Sequence, residues 1–317
     1  MRNLILKTSA TKPVQWLVRK TFLFRPLVKR FIAGDTLEEA LVPCQTEINH
    51  GIFVTLDYLG ENTKSEAEAL QAKAEYLRML DAIAASPASK APRDVQTPFG
   101  PLEATNISIK LTQCGLDQGT DFAIKNYVEV VERAKAHNSF VRVDMEASEY
   151  TQRTIDIVSQ VFREHGSTGT VLQSYLHRTD DDVDHMIELG ARVRLVKGAY
   201  LEPATVAFPE KAKVDEQYVQ QAKRLLKAGH YPAIATHDEK IIKELQSFVE
   251  SEKIDRASFE FQMLYGIRRD LQENLTKQGY NVRVYVPFGD AWYPYFTRRL
   301  AERPANAFFI LKAMFKK

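Results

Sequence analysis

Short runs rich in Val, Ile, Leu and Phe alternate along this chain with longer stretches whose apolar residues recur every three or four positions. The short runs fall at 52–59, 106–111, 140–146, 170–176, 193–200, 232–237, 258–264 and 282–288. Several are apolar almost throughout, as strands buried on both faces usually are. Between them, 65–85, 121–137, 151–165, 214–228 and 239–253 carry the helical period with polar outer faces. Eight strand-like runs, each followed by helix, predict an α/β fold, a (β/α)₈ TIM-like barrel. A doubly wound open sheet is the competing architecture, but neither G-x-G-x-x-G nor G-x-x-x-x-G-K-[ST] follows any run. The Pro- and Ala-bearing connection 86–105 is long for a helix-to-strand loop and is expected as an insertion on the face away from the chemistry.

In such a barrel, functional groups gather where strands end. Lys110, then Asp144 and Glu146, Gln173, Arg194 and Lys197, Thr236 and His237, Gln262 and Tyr285 stand at or near the ends of seven successive runs. Any one of them, taken alone, reads more naturally as a structural ion pair or a capping group. Their recurrence at the same end points instead to a large, charged, non-metallic ligand in the barrel mouth. Lys110, Arg194, Lys197 and the pair Arg298–Arg299 outweigh Asp144 and Glu146, which suits phosphate, carboxylate or an electron sink that becomes anionic. Arg298 and Arg299 lie in a final helix that follows the last strand, where side chains can reach over the mouth.

Composition adds limits. Net charge is +2 and charged residues make up 26%, so nucleic acid is not implied. Cys44 and Cys114 are the two cysteines, in no C-x-x-C pair, which fits a reducing compartment. Cys114 reads as a small buried thiol. No apolar run approaches the roughly 20 residues that span a bilayer. Thr179 before Asp180, Asp181 and Asp182 reads as an N-cap with an acidic first turn. With His177 and His185 that run also suggests a metal site, but the EF-hand glycine and spacing are missing, so no metal is expected. Residues 1–34 hold eight Lys and Arg and no acid. They read as a packed helical arm, with Trp16, Leu17, Phe24, Leu27, Val28 and Phe31 inward and Pro26 breaking it. A transit peptide and a basic helix resting on anionic lipid are the alternatives. The expected organisation is an arm over 1–48 and a barrel over 49–317.

The segments SIKLT (108–112), RVDMEA (142–147), RLVKGAY (194–200), ATHD (235–238), FEFQMLYG (259–266) and YVPFGDAWYPYFTRRLAERPAN (285–306) resemble the proline dehydrogenase family, in the family's order, and FIAGDTLEEAL (31–41) looks like its N-terminal entry. The resemblance implies noncovalent FAD at the barrel mouth, held by Gln173, Arg194, Lys197, Gly198, Thr236, His237 and Glu302. It implies that Lys110, Arg298 and Arg299 hold the carboxylate of L-proline. Asp144 would orient the charged cluster, and Leu264 and Tyr285 would pack on the pyrrolidine ring. Glu61 looks like a gate carboxylate that pairs with Arg298 when substrate is absent. Leu201 stands where fused relatives commonly carry Trp. The implied reaction takes L-proline to Δ1-pyrroline-5-carboxylate, the first step of proline catabolism to glutamate. Electrons would pass to a quinone-type acceptor at a membrane surface, and the product to a separate dehydrogenase. A cytoplasmic protein, peripheral on the inner face of the membrane, is the corresponding location. Two other readings stay open: a Schiff-base lyase or aldolase using Lys110 or Lys197, and a catalytically silent binding protein acting through its basic arm.

Overall fold

The eight apolar runs are the staves of a closed parallel barrel in the computed structural model, which describes the backbone of residues 25–302 and the side chains of 28–297. The staves are β1 (Phe53–Tyr58), β4 (Thr105–Ile109), β5 (Val141–Val143), β6 (Thr168–Gln173), β7 (Arg192–Val196), β8 (Ala233–Ala235), β9 (Glu260–Leu264) and β10 (Asn281–Phe288). β1 closes the ring, with Val54 in register with Thr105 on one side and Val284 on the other. Two short strands, β2 (Gln96–Thr97) and β3 (Gly100–Pro101), form a hairpin inside the long 86–105 connection. That connection seals the N-terminal end of the barrel, where Val95 and Leu102 pack with Phe53 and Tyr231.

Most of the expected strands are shorter than their apolar runs. β5 stops at Val143, β6 at Gln173, β7 at Val196 and β8 at Ala235, not at 146, 176, 200 and 237. Past those points the chain turns outward, and Gly198 adopts φ +115°, a conformation open to glycine and strained for other residues. Its absent Cβ would collide with the ring of Tyr175.

Helices ring the barrel: α3 (Glu66–Ala85), α4 (Thr120–Ala136), α5 (Ser148–His165), α6 (Thr179–Leu189), α7 (Lys211–Ala228), α8 (Glu239–Ser251) and α9 (Arg269–Lys277). They form for local reasons. Ser65 caps α3 by accepting from the Glu68 amide at 3.2 Å, and α3 then buries Ala69, Ala72, Tyr76, Met79, Leu80 and Ile83 at helical spacing. Thr179 proves to be the first residue of α6, not its cap: its hydroxyl donates to Gln173 O at 2.5 Å, outcompeting the helix's own amides. Two acids of the run are engaged in ion pairs, Asp182 with Arg178 at 2.8 Å and Asp180 with Arg224 at 3.0 Å. Among the described residues no group of His, Cys, Asp and Glu is arranged for a metal.

The place in the ring that follows β10 is filled from the other end of the chain. α1 (Arg25–Phe31) leads into α2 (Leu37–Asn49), which packs on β1 and β10. α2 joins α3 through Arg78–Glu38 at 2.6 Å and α9 through Arg269–Glu47 at 3.4 Å. Pro26, expected to break the arm, lies in the first turn of the described α1, where a missing N–H costs little. With that place taken, the last helix, α10 (Tyr293–Glu302), lies over the C-terminal mouth. Its Tyr295 and Phe296 pack with Phe31, Ile32, Leu59 and Ile267, and Leu264 and Tyr285 lie against the same cluster.

The barrel is filled by ions where aliphatic layers are the norm. Arg283, fully buried, bonds Glu260 at 2.9 and 3.0 Å and Val54 O at 2.7 Å. Arg192 forks onto Glu103 at 2.9 and 3.0 Å. Burial pushes the Glu103 carboxyl upward, but Arg192 and Arg283 override it and hold it down at about 2. Arg142 donates to Arg192 O at 2.7 Å and stacks on Phe140.

Removing one member of this layer strands its partner without water. Arg283→Met should therefore cost about 3–5 kcal/mol, read as a lower denaturant midpoint at neutral pH. A loss near zero would show that Glu260 finds other partners.

Candidate active site

At the C-terminal rim, β1 carries Asp57 one residue before its end, and β4 leads into Lys110, whose Nζ meets Asp57 Oδ1 at 3.0 Å. Both are buried. Burial pulls the ammonium's pKa down, but the charges of Asp57, Asp144 and Glu61 outweigh it and raise it above the ordinary lysine value. Lys110 is thus held charged, the reverse of what a Schiff-base nucleophile needs.

Across the mouth, Asp144 follows β5 and bridges two elements. Its Oδ1 accepts from Arg194 Nη1 at 2.7 Å and its Oδ2 from the Tyr285 hydroxyl at 2.7 Å. Arg194 is fixed further by Gln262 Oε1 at 2.5 Å and Ser108 Oγ at 3.1 Å, and its guanidinium lies 5.2 Å from the Tyr285 ring centroid. Burial, with Asp144 and Asp57 beside it, pushes the Tyr285 phenol far upward, so it stays protonated. Arg194 Nη2 is buried and has no partner among the described residues. An orphaned guanidinium nitrogen in a mouth of this kind fits a ligand that accepts hydrogen bonds or gains negative charge.

Glu146, two residues beyond Asp144, is engaged by Thr112, whose hydroxyl donates at 2.6 Å and whose amide donates at 3.3 Å. Burial pushes this carboxyl up to about 7 against those bonds and the pull of Lys110.

The remaining predicted residues line the β6–β8 side. Gln173 Nε2 donates to Glu146 O at 2.9 Å. Lys197 pairs with Asp215 at 2.6 Å and Asp238 at 3.3 Å. The Thr236 hydroxyl accepts from the Asp238 amide at 3.1 Å. The Leu264 amide donates to His237 Nε2 at 2.9 Å, which in a neutral ring leaves the proton on Nδ1. Glu61 lies in the segment after β1 and is felt by both Lys110 and Glu146. Arg298, Arg299 and Glu302 lie on α10, and their side chains fall outside the described residues, as do residues 1–24 of the arm. Leu201 is 63% exposed. The Cys114 thiol is buried and pushed up to about 12, first by burial.

Sequence reasoning missed Asp57. It stands at the end of the first run, and the rule that singled out the other seven strand ends applies to it equally. Its presence makes the mouth less cationic than expected, as do Asp215 and Asp238 around Lys197. A cavity of about 140 Å³ lies at the opposite, N-terminal end, between Phe99, Phe140, Phe162 and Arg192. Strand polarity separates it from this site.

Comparisons with known proteins bear on these residues as a set. The family model described as "Proline dehydrogenase" matches residues 41–312. "Proline dehydrogenase 1" of Bacillus subtilis (strain 168) is 41% identical over 289 residues, covering 91% of each chain. "Proline dehydrogenase" of Deinococcus radiodurans is 39% identical over 320 residues, covering 99% of this chain and 98% of the relative. Among solved structures, proline utilization A (PutA) from Bdellovibrio bacteriovorus, inactivated by N-propargylglycine, superposes with a TM-score of 0.83 at 26% identity. That superposition covers 99% of this chain and 37% of the longer one, so this chain corresponds to about a third of that protein. The barrel, its ionic interior and the helix laid over its mouth are therefore those of a member of the proline dehydrogenase family, to which this chain belongs.

Proposed function

We propose that this protein oxidises L-proline to Δ1-pyrroline-5-carboxylate with FAD as resident cofactor, and passes the electrons to a quinone-type acceptor. Family membership gives the proline dehydrogenase activity. The observation that carries the finer reading is the Asp144 bridge, which presents Arg194 and Tyr285 together at the mouth with one guanidinium nitrogen unspent.

FAD, when bound, supplies the two-electron acceptor that takes hydride from proline C5 as the C5–N bond becomes C=N. Arg194, Lys197, Gly198, Gln173, Thr236, His237 and Glu302 are the residues that would hold it. Arg194 is preset by three side-chain oxygens, so its field needs no rearrangement when negative charge develops nearby. Lys110, Arg298 and Arg299 would grip the substrate carboxylate, and Leu264 and Tyr285 would bear on the ring. Fixing the acid group at one end and the ring at the other aims a single carbon, which is catalysis by orientation. α10, laid across the mouth, would exclude water, and Glu61 would guard the entrance by pairing with Arg298 before substrate binds. No helix among the described residues is long and apolar enough to cross a membrane. Contact with a membrane quinone would fall to the basic arm, and the product would go to a separate dehydrogenase.

The Schiff-base alternative is disfavoured at Lys110, which is held as an ammonium, and at Lys197, which is paired with Asp215 and Asp238. Borohydride added with carbonyl substrates should trap no adduct on Lys110, as read by peptide mass. A trapped adduct would reverse this assignment.

Purified protein should be yellow, and anaerobic L-proline should bleach its visible band. A band unmoved by saturating L-proline would remove proline as substrate. Arg298→Ala and Arg299→Ala should each raise KM for L-proline about 30- to 800-fold, from ~2–4 kcal/mol of lost charge-assisted binding. An unchanged KM would take them out of the site. Asp144→Ala should depress kcat strongly while the protein still melts cooperatively, because it frees Arg194 and Tyr285 together. Normal turnover would refute that role.

A further inference from the structure

The Thr112 hydroxyl touches both the Glu146 carboxylate and the segment carrying Glu61. A hydroxyl has one proton to give and lone pairs to receive. Here the proton goes to Glu146 Oε1 at 2.6 Å, and a lone pair receives the Asn62 N–H at 3.1 Å. Asn62 directly follows Glu61 and sits at φ +50°, an uncommon conformation that must be held from outside. Thr112 is fully buried, and its own amide also donates to Glu146.

The surroundings make one end of this relay fixed and the other adjustable. The Glu146 backbone is pinned by the Gln173 amide at 2.9 Å. Beyond Thr112, the segment is bonded on both its exposed and its half-buried side. The exposed Asn62 donates from Nδ2 to the Tyr150 hydroxyl at 3.1 Å, and the half-buried Thr63 hydroxyl donates to Thr112 O at 2.7 Å. Exposed contacts such as the first are individually weak. The Asn62 N–H bond differs in ending on the hydroxyl that itself donates to the Glu146 carboxylate.

We infer that Thr112 is a positioning residue that makes the seat of the Glu61 segment answer to the charge on Glu146. A charged Glu146 draws the Thr112 proton strongly, which polarises the hydroxyl oxygen and tightens its grip on the Asn62 N–H. A neutral Glu146 turns the charge-assisted bond into an ordinary one, and the segment loosens. The groups facing Glu146 are Lys110 after β4, Glu61 after β1, Tyr76 on α3, Cys114 in the loop before α4, and Tyr150 on α5. Burial sets the Glu146 transition near neutrality, at about 7. Lys110 and the buried Tyr76 and Cys114 do not titrate there, since the first and second are shifted upward and the third lies at about 12. The inference rests on Glu61 acting as a gate in so far as it concerns catalysis, and on hydrogen bonds alone in so far as it concerns the segment.

The two parts are tested separately in the FAD-loaded full chain, using Thr112→Val, Thr112→Ser and Glu146→Gln. The first readout is amide hydrogen exchange of the peptide spanning 60–64 between about pH 6 and pH 8.5, corrected for the intrinsic rate. Wild type and Thr112→Ser should lose protection as pH falls through neutrality. Thr112→Val should exchange roughly tenfold faster throughout, and Glu146→Gln should show no pH-dependent change. Exchange in Thr112→Val equal to wild type at every pH overturns the coupling. So does a pH-dependent change that persists in Glu146→Gln, which also covers the case of a misfolded Thr112→Val. The second readout is KM for L-proline, expected to rise roughly three- to tenfold in Thr112→Val with kcat nearly unchanged, and to recover in Thr112→Ser. Faster exchange without any change in KM upholds the coupling and refutes the gate role of Glu61.

Discussion

A charged or polar group taken into the barrel must find a partner there, ionic or hydrogen-bonded, and this constraint organises the molecule from base to mouth. Tyr285 bonds Asp144, Asp144 bonds Arg194, Arg194 bonds Gln262, and Gln262 bonds Glu260. Glu260 pairs with Arg283, which reaches Glu103, which pairs with Arg192. No step in this ladder passes through solvent-exposed side chains. Arg194 and Tyr285 at the mouth are therefore held by the same network that holds the base, and their orientation is a property of the whole interior. An aliphatic filling could pack as well, but it could not fix a guanidinium at the mouth.

The ladder also explains why the long 86–105 connection has its place. Glu103 comes from that connection and is the acid that both Arg192 and Arg283 require. A shorter loop would close the chain equally well yet leave Arg192 without its counterion and Arg283 with Glu260 alone. At the other end, the position of α2 between α3 and α9 has a parallel consequence. It completes the ring early in the chain, which frees α10 to lie against Leu264 and Tyr285. The two departures from a regular (β/α)₈ repeat thus supply a buried acid at the base and a helix over the mouth.

The barrel was legible because the staves are short runs rich in Val, Ile, Leu and Phe and each covering helix has one apolar stripe. The boundaries at 176 and 200 were not, because Tyr175, Leu176, Ala199 and Tyr200 are apolar residues that line turns, and periodicity cannot tell a turn from the end of a strand. Thr179 misled for a related reason: its hydroxyl had a stronger acceptor in Gln173 O than sequence could reveal. The Lys110, Asp144, Arg194 and Tyr285 group was read correctly as converging on one end, since strand polarity alone fixes that. Which oxygen meets which nitrogen depends on register across the barrel, and no local pattern encodes it.

Asp57 changes the electrostatic argument most. Read as a sum, the mouth is a cationic basin that would accept any anion. Read as pairs, each cation already has an acid: Lys110 has Asp57, Arg194 has Asp144, and Lys197 has Asp215 and Asp238. On the reading proposed above, the substrate carboxylate would use donors that these acids leave unspent, the further protons of Lys110 and the two arginines of α10. A small anion such as chloride has one contact to offer and could not satisfy several such donors together. An amino acid with a fixed ring could do so with its ring against Leu264 and Tyr285. Paired cations would then favour shape over charge, and the acids that weaken the basin would make it selective.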